Sequence, residues 1–338
     1  MRIRLERNPE NPELIKSLIE SFEDKFYVKK INDVKQIAKD MAEEVIEEQP
    51  RIEMKIKHNA LNRILGGVRR KKLIFLGGRP GHRKTDFVID IADYILEQGF
   101  RVLYADFEMG EEDTFLRFFT KRKRIANTII ETRIDEFGKT LTPLERVGLS
   151  DCIKSYADEI EDRLTIVCNP KLNEIRKIAK SVKADMVVID HIQLFAEEHP
   201  LRAGDTKPSH IESLCARLKK MSRELNIAVW SPSQVDRKIE GPPKKSDFKG
   251  SAGIEENGDV LIGIWWPHAE GKVISSRGKR CGSNFIEYSI AKNRGGPVGR
   301  DDLHVEITTG VMSEFTDQED TNNYRDRHER KLPTNEEL

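Results

Sequence analysis

The sequence has few cysteines, four in 338 residues: Cys152, Cys168, Cys215 and Cys281. No two of them form a CxxC pair, which leaves no basis for a zinc ribbon or a disulfide framework, and a reducing compartment is expected. Long apolar runs are also missing. None approaches the ~18 residues of a membrane helix, so no membrane partner is expected. The N-terminal stretch MRIRLERNPENPELIK is charged and lacks the apolar centre of a secretory signal. The expected location is therefore cytoplasmic. There is no excess of either charge sign: Lys plus Arg and Asp plus Glu each total 58, for a formal net charge of zero. That excludes a uniformly basic nucleic-acid coat and confines any anion-binding surface to a local patch.

What is present is length enough for a sizeable core and a strong periodic pattern. Residues 1–50 read as a helical segment, with Leu14, Ile15, Leu18, Ile19 and Phe22 on one face, then Val34, Ile37, Met41 and Ile46 on another. Asn32 is a plausible N-cap for the second helix. Such stripes must pack on the main body or on a neighbouring subunit. From Leu61 onward, short apolar runs alternate with helical stretches. The runs are LIFLG (73–77), RVLYAD (101–106), LTIVC (164–168), MVVID (186–190) and IAVWS (227–231). Between them, Phe87, Val88, Ile91, Ala92, Ile95 and Leu96 form a buried helical stripe that Gly99 ends. This alternation predicts an α/β fold with a mainly parallel sheet covered on both faces. DVLIGIWW (259–266), FIEYSIAK (285–292) and DLHVEIT (302–308) follow one another without a long helix and are expected to extend it antiparallel. The expected main domain is 51–316, and 317–338 is a polar tail.

GGRPGHRKTDF (77–87) nearly matches the phosphate-loop pattern G-x-x-x-x-G-K-[ST], and lies between a buried strand and an amphipathic helix. In such loops, backbone N–H groups and the helix N-terminus hold phosphates. Gly78, Arg79, Pro80, Gly81, His82, Arg83, Lys84 and Thr85 are the candidate nucleotide-binding residues. Lys84 would reach the outer phosphates and the Thr85 hydroxyl would bind Mg²⁺. Arg83 stands where the pattern has its second glycine. A non-glycine residue in a left-handed conformation there costs roughly 1–2 kcal/mol. Its guanidinium could add a phosphate contact or displace Lys84. Asp190, ending an apolar strand, is the candidate second Mg²⁺ anchor, and Gln193 could sense the terminal phosphate. Glu108 is the candidate base for the attacking water, with Asp106 as competitor.

Taken in order, these blocks resemble the motor domain of DnaB-type replicative helicases, within the RecA-like P-loop ATPases. HNALNRILGGVRRKKLIFLGGRPGHRKT, RVLYADFEM, VVIDHIQLF, SPSQVDR, SDFKGSAGIEENGDVLIGI and IAKNRGGPVG follow that family's succession over residues 58–316. The resemblance implies an ATP- and Mg²⁺-dependent helicase that moves on single-stranded DNA as a hexameric ring, with a primase or loader as further partner. It implies Gln234 as a phosphate sensor. It also implies that Lys292 and Arg294 reach the neighbouring subunit's nucleotide, Arg294 as arginine finger. The helix over 32–49 resembles the family's linker helix. The large collar domain of bacterial members is not seen, and a phage or mobile-element origin is expected.

Two loops are candidates for DNA contact. One is 197–210. The other is 236–253, which carries Arg237, Lys238, Lys244, Lys245, Lys249, Gly250 and Ser251. Lys, Arg and backbone amides are the usual phosphate partners. Neither loop interleaves aromatics, so base stacking is not expected. Arg69 to Lys72 and KVISSRGKR (272–280) read as solvated basic surface. The alternative reading, motivated by Arg83, is a helicase-derived DNA-binding assembly factor with weak or no hydrolysis.

Overall fold

The structure, a computed structural model, describes residues 54–315 except 201–205 and 237, together with Val34, Ala38, Lys39 and Ala42. The expected N-terminal helices, most of the linker-helix segment, Arg237 and the polar tail beyond residue 315 lie outside the described residues. Each apolar run is a strand: β1 (Leu73–Gly78), β2 (Val102–Asp106), β3 (Leu164–Cys168), β4 (Met186–Asp190), β5 (Ala228–Gln234) and β6 (Val260–Trp265). They join β7 (Phe285–Asn293), β8 (Gly299–Val305) and β9 (Met312–Glu314) in one sheet of order β3-β2-β4-β5-β1-β6-β7-β8-β9. Pairing is parallel from β3 through β6 and antiparallel beyond it.

The expected α/β class and antiparallel extension are thus borne out. The last expected strand, 302–308, sits three residues earlier. Arg300 and Asp301 pair with Ser289 and Tyr288, while the Gly310 N–H donates to Glu306 O and turns the chain into β9.

Alternation along the strands divides the core between two faces. Ile74, Leu76, Tyr104, Val188 and Trp230 lie on one. Leu73, Phe75, Leu103, Val187 and Val229 lie on the other. The helices that cover them are α1 (Asn59–Leu65), α2 (Lys84–Glu97), α3 (Glu111–Lys123), α4 (Asn127–Thr132), α5 (Pro143–Ile160), α6 (Leu172–Ser181), α7 (Ile192–Glu197), α8 (Lys207–Glu224) and α9 (Ala252–Asn257). Helix α5 begins with a capping box: Thr142 accepts from the Glu145 N–H, Glu145 accepts from Thr142, and Pro143 takes the first turn.

Helix α2 is more than an apolar stripe. Asp86, Asp90 and Asp93 follow at helical spacing and are all buried. Asp93 pairs with Arg122 of α3 at 2.9 Å. Asp90 meets His58 at 3.1 Å and Lys57 at 3.4 Å, and accepts from the Met312 N–H of β9 at 3.2 Å. Lys121 lies 4.0 Å from Asp90 and donates to Gly310 O. Burial alone would raise the Asp90 pKa. The hydrogen bond from His58 and the charges of Lys121, His58 and Lys57 outweigh it and hold the carboxyl at about 2.

A carboxylate held below its unfolded pKa stabilises the fold above that unfolded value, and the contribution fades as pH falls through the folded pKa. Asp90→Asn leaves Lys121 buried without its charge partner and should cost about 3–5 kcal/mol, read from urea unfolding at pH 7. The same variant should lose less stability than the wild type between pH 4 and pH 2.

Candidate active site

The parallel strands deliver their functional residues to one end of the sheet. Strands β2, β4, β5 and β1 are successive neighbours. Glu108 follows the end of β2, Asp190 ends β4, Gln234 ends β5, and the phosphate loop leaves β1. This is the end where ligands bind in open α/β sheets.

The loop from Arg79 to Arg83 runs into the N-terminus of α2. Gly81 has φ +77 and Arg83 has φ 61, ψ 26. Arg83 therefore adopts the left-handed conformation expected from its place in the pattern. Its side chain is engaged on three sides. Nη1 pairs with Asp86 at 3.0 Å, Nη2 donates to Ile307 O at 3.4 Å, and the guanidinium stacks on the Trp266 ring at 4.6 Å. The stacking contributes about 0.5–2 kcal/mol, which offsets the backbone strain. Lys84 is not displaced: its Nζ donates to Arg79 O at 2.9 Å. Burial lowers the Lys84 pKa to about 8, while Asp190 and Glu108 pull it upward.

Two side chains of the loop turn away from the phosphate position. Arg79 is buried, its Nη2 2.8 Å from Glu270 Oε1 and donating to Gly241 O at 3.1 Å. His82 is buried as well, and its Nδ1 accepts from the Trp266 N–H at 3.0 Å. Burial, reinforced by Arg79, lowers the His82 pKa to about 4. Both side chains are thus engaged within the protein, Arg79 with Glu270 and Gly241 and His82 with Trp266.

Asp190 is almost fully buried and Oδ2 accepts from Tyr104 Oη at 2.6 Å. Burial raises its pKa to about 6, against the hydroxyls of Tyr104 and Thr85. Its Oδ1 is buried without a hydrogen bond of good geometry. A buried carboxylate oxygen left over beside a threonine hydroxyl fits Mg²⁺, a hard cation held by one or two carboxylates plus substrate phosphates. No group of three or more His, Cys, Asp or Glu side chains placed to hold a metal ion by themselves occurs among the described residues.

Glu108 is exposed beside this pair, whereas Asp106 is buried and accepts from the Met109 and Gly110 N–H groups at 3.0 and 2.6 Å. Of the two, Asp106 shapes the loop and Glu108 faces solvent. Gln193 Nε2 donates to Ser233 Oγ and Gln234 O, both at 3.1 Å, and Gln234 Nε2 meets His191 Nε2 at 3.0 Å. The two candidate sensors are therefore one hydrogen-bonded unit.

Lys292 and Arg294 lie toward the opposite end. Val260 pairs with both Ile74 and Asn293, so they sit four residues back from Gly78, roughly 13 Å along the strand. Lys292 donates to Glu255 O and Arg294 to Glu256 O, at the end of α9. The Arg294 N–H donates to Asp259 O, and Asp259 is itself paired with Lys219.

Beside Gln193 and Gln234 opens a cleft of about 840 Å³, lined by Asp236, Lys238, Lys244 and Asp247 among others. Lys238, Lys244 and Lys245 are exposed, and Lys245 pairs with Glu255 at 3.2 Å. Lys249, Gly250 and Ser251 lie in a 3-10 helix, Lys245–Ser251. Gly253 serves packing, since a Cβ there would lie 2.1 Å from Glu212 Cα of α8.

A family model described as the DnaB-like helicase C-terminal domain matches residues 54–314. The chain belongs to that family. The family carries nucleotide and Mg²⁺ dependence in general. Relatives include the replicative DNA helicase DnaB of Geobacillus stearothermophilus, 28% identical over 247 residues covering 71% of this chain and 51% of that protein. A probable plasmid replicative DNA helicase of Chlamydia psittaci is 26% identical, covering 72% of this chain and 52% of that protein. The chain thus spans about half the length of these relatives. Among solved structures, one described as an ATPase domain superposes with a TM-score of 0.71 at 24% identity, covering 84% of this chain and 100% of that one. A DnaB-like replicative helicase, described with its interactions with primase, gives 0.69 at 23% identity, covering 84% and 69%. These likenesses establish the RecA-like fold.

Sequence reasoning missed Asp86, Tyr104, Trp266 and Glu270 as site residues. Asp86 had a readable signal, an acid directly after Lys-Thr. Trp266 and Glu270 had none, since only the fold brings them to the loop.

The left-handed backbone at residue 83 yields a paired prediction. Arg83→Ala keeps the strain and loses the Asp86 and Trp266 contacts, so it should destabilise. Arg83→Gly loses the same contacts without the strain and should be about 1 kcal/mol more stable than the alanine variant, by thermal denaturation.

Proposed function

We propose that this protein is an ATP-dependent DNA helicase motor that hydrolyses ATP between subunits of a ring on single-stranded DNA. The carrying observation is the split of the hydrolysis residues between opposite ends of one sheet. Lys84, Thr85, Asp190, Glu108 and the Gln193–Gln234 unit gather at one end, with Arg294 toward the other. An arginine there serves its own phosphate loop poorly and a neighbour's well, in a head-to-tail interface that closes into a ring.

When bound, Mg²⁺ would supply charge neutralisation at the phosphates, with Thr85 and Asp190 as its protein ligands. Lys84 holds the outer phosphates, and the N–H groups of the loop and of the α2 N-terminus orient them. Glu108 orients the attacking water and takes its proton. The sensor unit links the terminal phosphate to the loop after β5. Arg294 of the next subunit stabilises charge in the phosphoryl-transfer transition state. Lys238, Lys244, Lys245 and Lys249 are assigned to the DNA backbone, supported by their common position on one loop beside that unit, and Arg237 joins them by its place in the sequence. A hexamer is the proposed ring, and a primase or loader the further partner. Among the described residues no helix is long and apolar enough to cross a membrane.

The alternative, an assembly factor without hydrolysis, rests on Arg83. Its side chain is held by Asp86 and Trp266, and Lys84 keeps its place, so the motor reading is favoured.

Phosphate release by the wild type should be stimulated by single-stranded DNA. Lys84→Ala, Glu108→Gln and Arg294→Ala should each reduce it about 10²-fold or more. An equal mixture of the Glu108→Gln and Arg294→Ala proteins should regain activity, because some interfaces then pair an intact site with an intact finger. No release above background from the pure wild type would overturn the proposal, and no recovery in the mixture would place the finger elsewhere. Lys244→Ala and Lys245→Ala should each reduce the salt dependence of DNA binding by about one unit of slope.

A further inference from the structure

We infer that Arg79 is a positioning residue that couples the phosphate site to the basic loop 236–250. The inference rests on the reading of that loop as the DNA contact. The loop is seated directly on the strand ends. A Cβ on Gly77 would lie 2.3 Å from Phe248 Cζ, and one on Gly263 would lie 2.3 Å from Pro243 O. Both glycines are therefore the floor on which the loop rests. Ser289 Oγ donates to Pro243 O at 3.0 Å and fixes it further.

A further contact comes from the phosphate loop itself. The guanidinium of Arg79 donates to Gly241 O through Nη2, and Glu270 Oε1 holds the same nitrogen at 2.8 Å. The carbonyl of the same residue accepts from Lys84 Nζ. One residue thus has its main chain on the phosphate-binding lysine and its side chain on the basic loop. Phosphate oxygens compete with Arg79 O for the Lys84 ammonium. When they win, the Arg79 carbonyl keeps only the His82 N–H at 3.2 Å, so the peptide carrying the guanidinium is held less firmly, and Gly241 is attached to it. A pull on the loop by a phosphodiester runs back along the same path. Because coupling free energies are reciprocal, each ligand changes the other's affinity by the same factor. Glu270 acts through Arg79, and it sits in a short 3-10 helix, Pro267–Glu270, outside the nucleotide residues.

The test compares full-length wild type, Arg79→Met, Glu270→Gln and Glu270→Ala. In Arg79→Met, the ratio of the rate with single-stranded DNA to that variant's own rate without DNA should fall about fivefold or more relative to the wild type. Glu270→Gln keeps an acceptor for the guanidinium and should retain the stimulation; Glu270→Ala should lose part of it. A second readout is amide hydrogen exchange in residues 238–248. In the wild type it should change on adding Mg²⁺-ADP, and in Arg79→Met that change should vanish. A purely structural role would alter exchange equally with and without nucleotide. If Arg79→Met keeps both the DNA stimulation and the nucleotide-dependent exchange, the inference is overturned. If Arg79→Met does not fold by circular dichroism, Glu270→Ala decides by the same two readouts. A wild type that hydrolyses ATP without any response to DNA would refute the reading of the loop, and the exchange arm would still judge Arg79.

Discussion

The placement of α2 depends on the charge pairs around its buried carboxylates. The apolar residues of α2 are close-packed against the sheet, and Asp86, Asp90 and Asp93 add directional contacts to that packing. Each meets basic side chains from different parts of the chain: Arg83 and Arg117, then Lys57, His58 and Lys121, then Arg122. The loop that carries Lys84 runs into the N-terminus of α2, so the same pairs that fix the core also position that loop. Asp90 further accepts from the Met312 N–H, which ties the last strand to the first helix after the phosphate loop.

The parts of the fold visible in the sequence were those encoded by apolar periodicity. Strands β1 to β6 read clearly because apolar residues run almost unbroken along them, and α2 read clearly from its Phe87-to-Leu96 stripe. The order of the chemical blocks placed Lys84, Asp190 and Gln234 before any coordinates were needed. The acidic ladder escaped because its members alternate with the apolar stripe and look like solvated charges in a one-dimensional pattern. Helix α5 escaped for a related reason: its face is weakly apolar, although Thr142, Pro143 and Glu145 spell a clear start. The directions of Arg79 and His82 could not be read at all. They depend on Glu270 and Trp266, which lie far away along the chain. The strand at 299–305 was shifted because the turn through Gly310, not the apolar run, sets its end.

Glycine had two different meanings at the strand ends. Gly81 serves backbone conformation, with φ +77 and open space where a Cβ would be. Gly77 and Gly263 serve proximity, since their Cβ positions are already occupied by Phe248 and Pro243. A sequence pattern counts them alike. The structure separates a glycine that shapes the phosphate loop from glycines that admit the basic loop, and shows why the two loops must be built against each other.

The Arg83–Asp86 pair also has a historical consequence. In a chain with glycine at 83, an aspartate at 86 would still have Arg117 as its partner, so the acid could arrive first at little cost. The reverse order is harder: an arginine at 83 without Asp86 would hold its strained backbone with one anchor fewer and set a second cation beside Lys84. The two positions are therefore energetically coupled, and substitutions at them should not be additive.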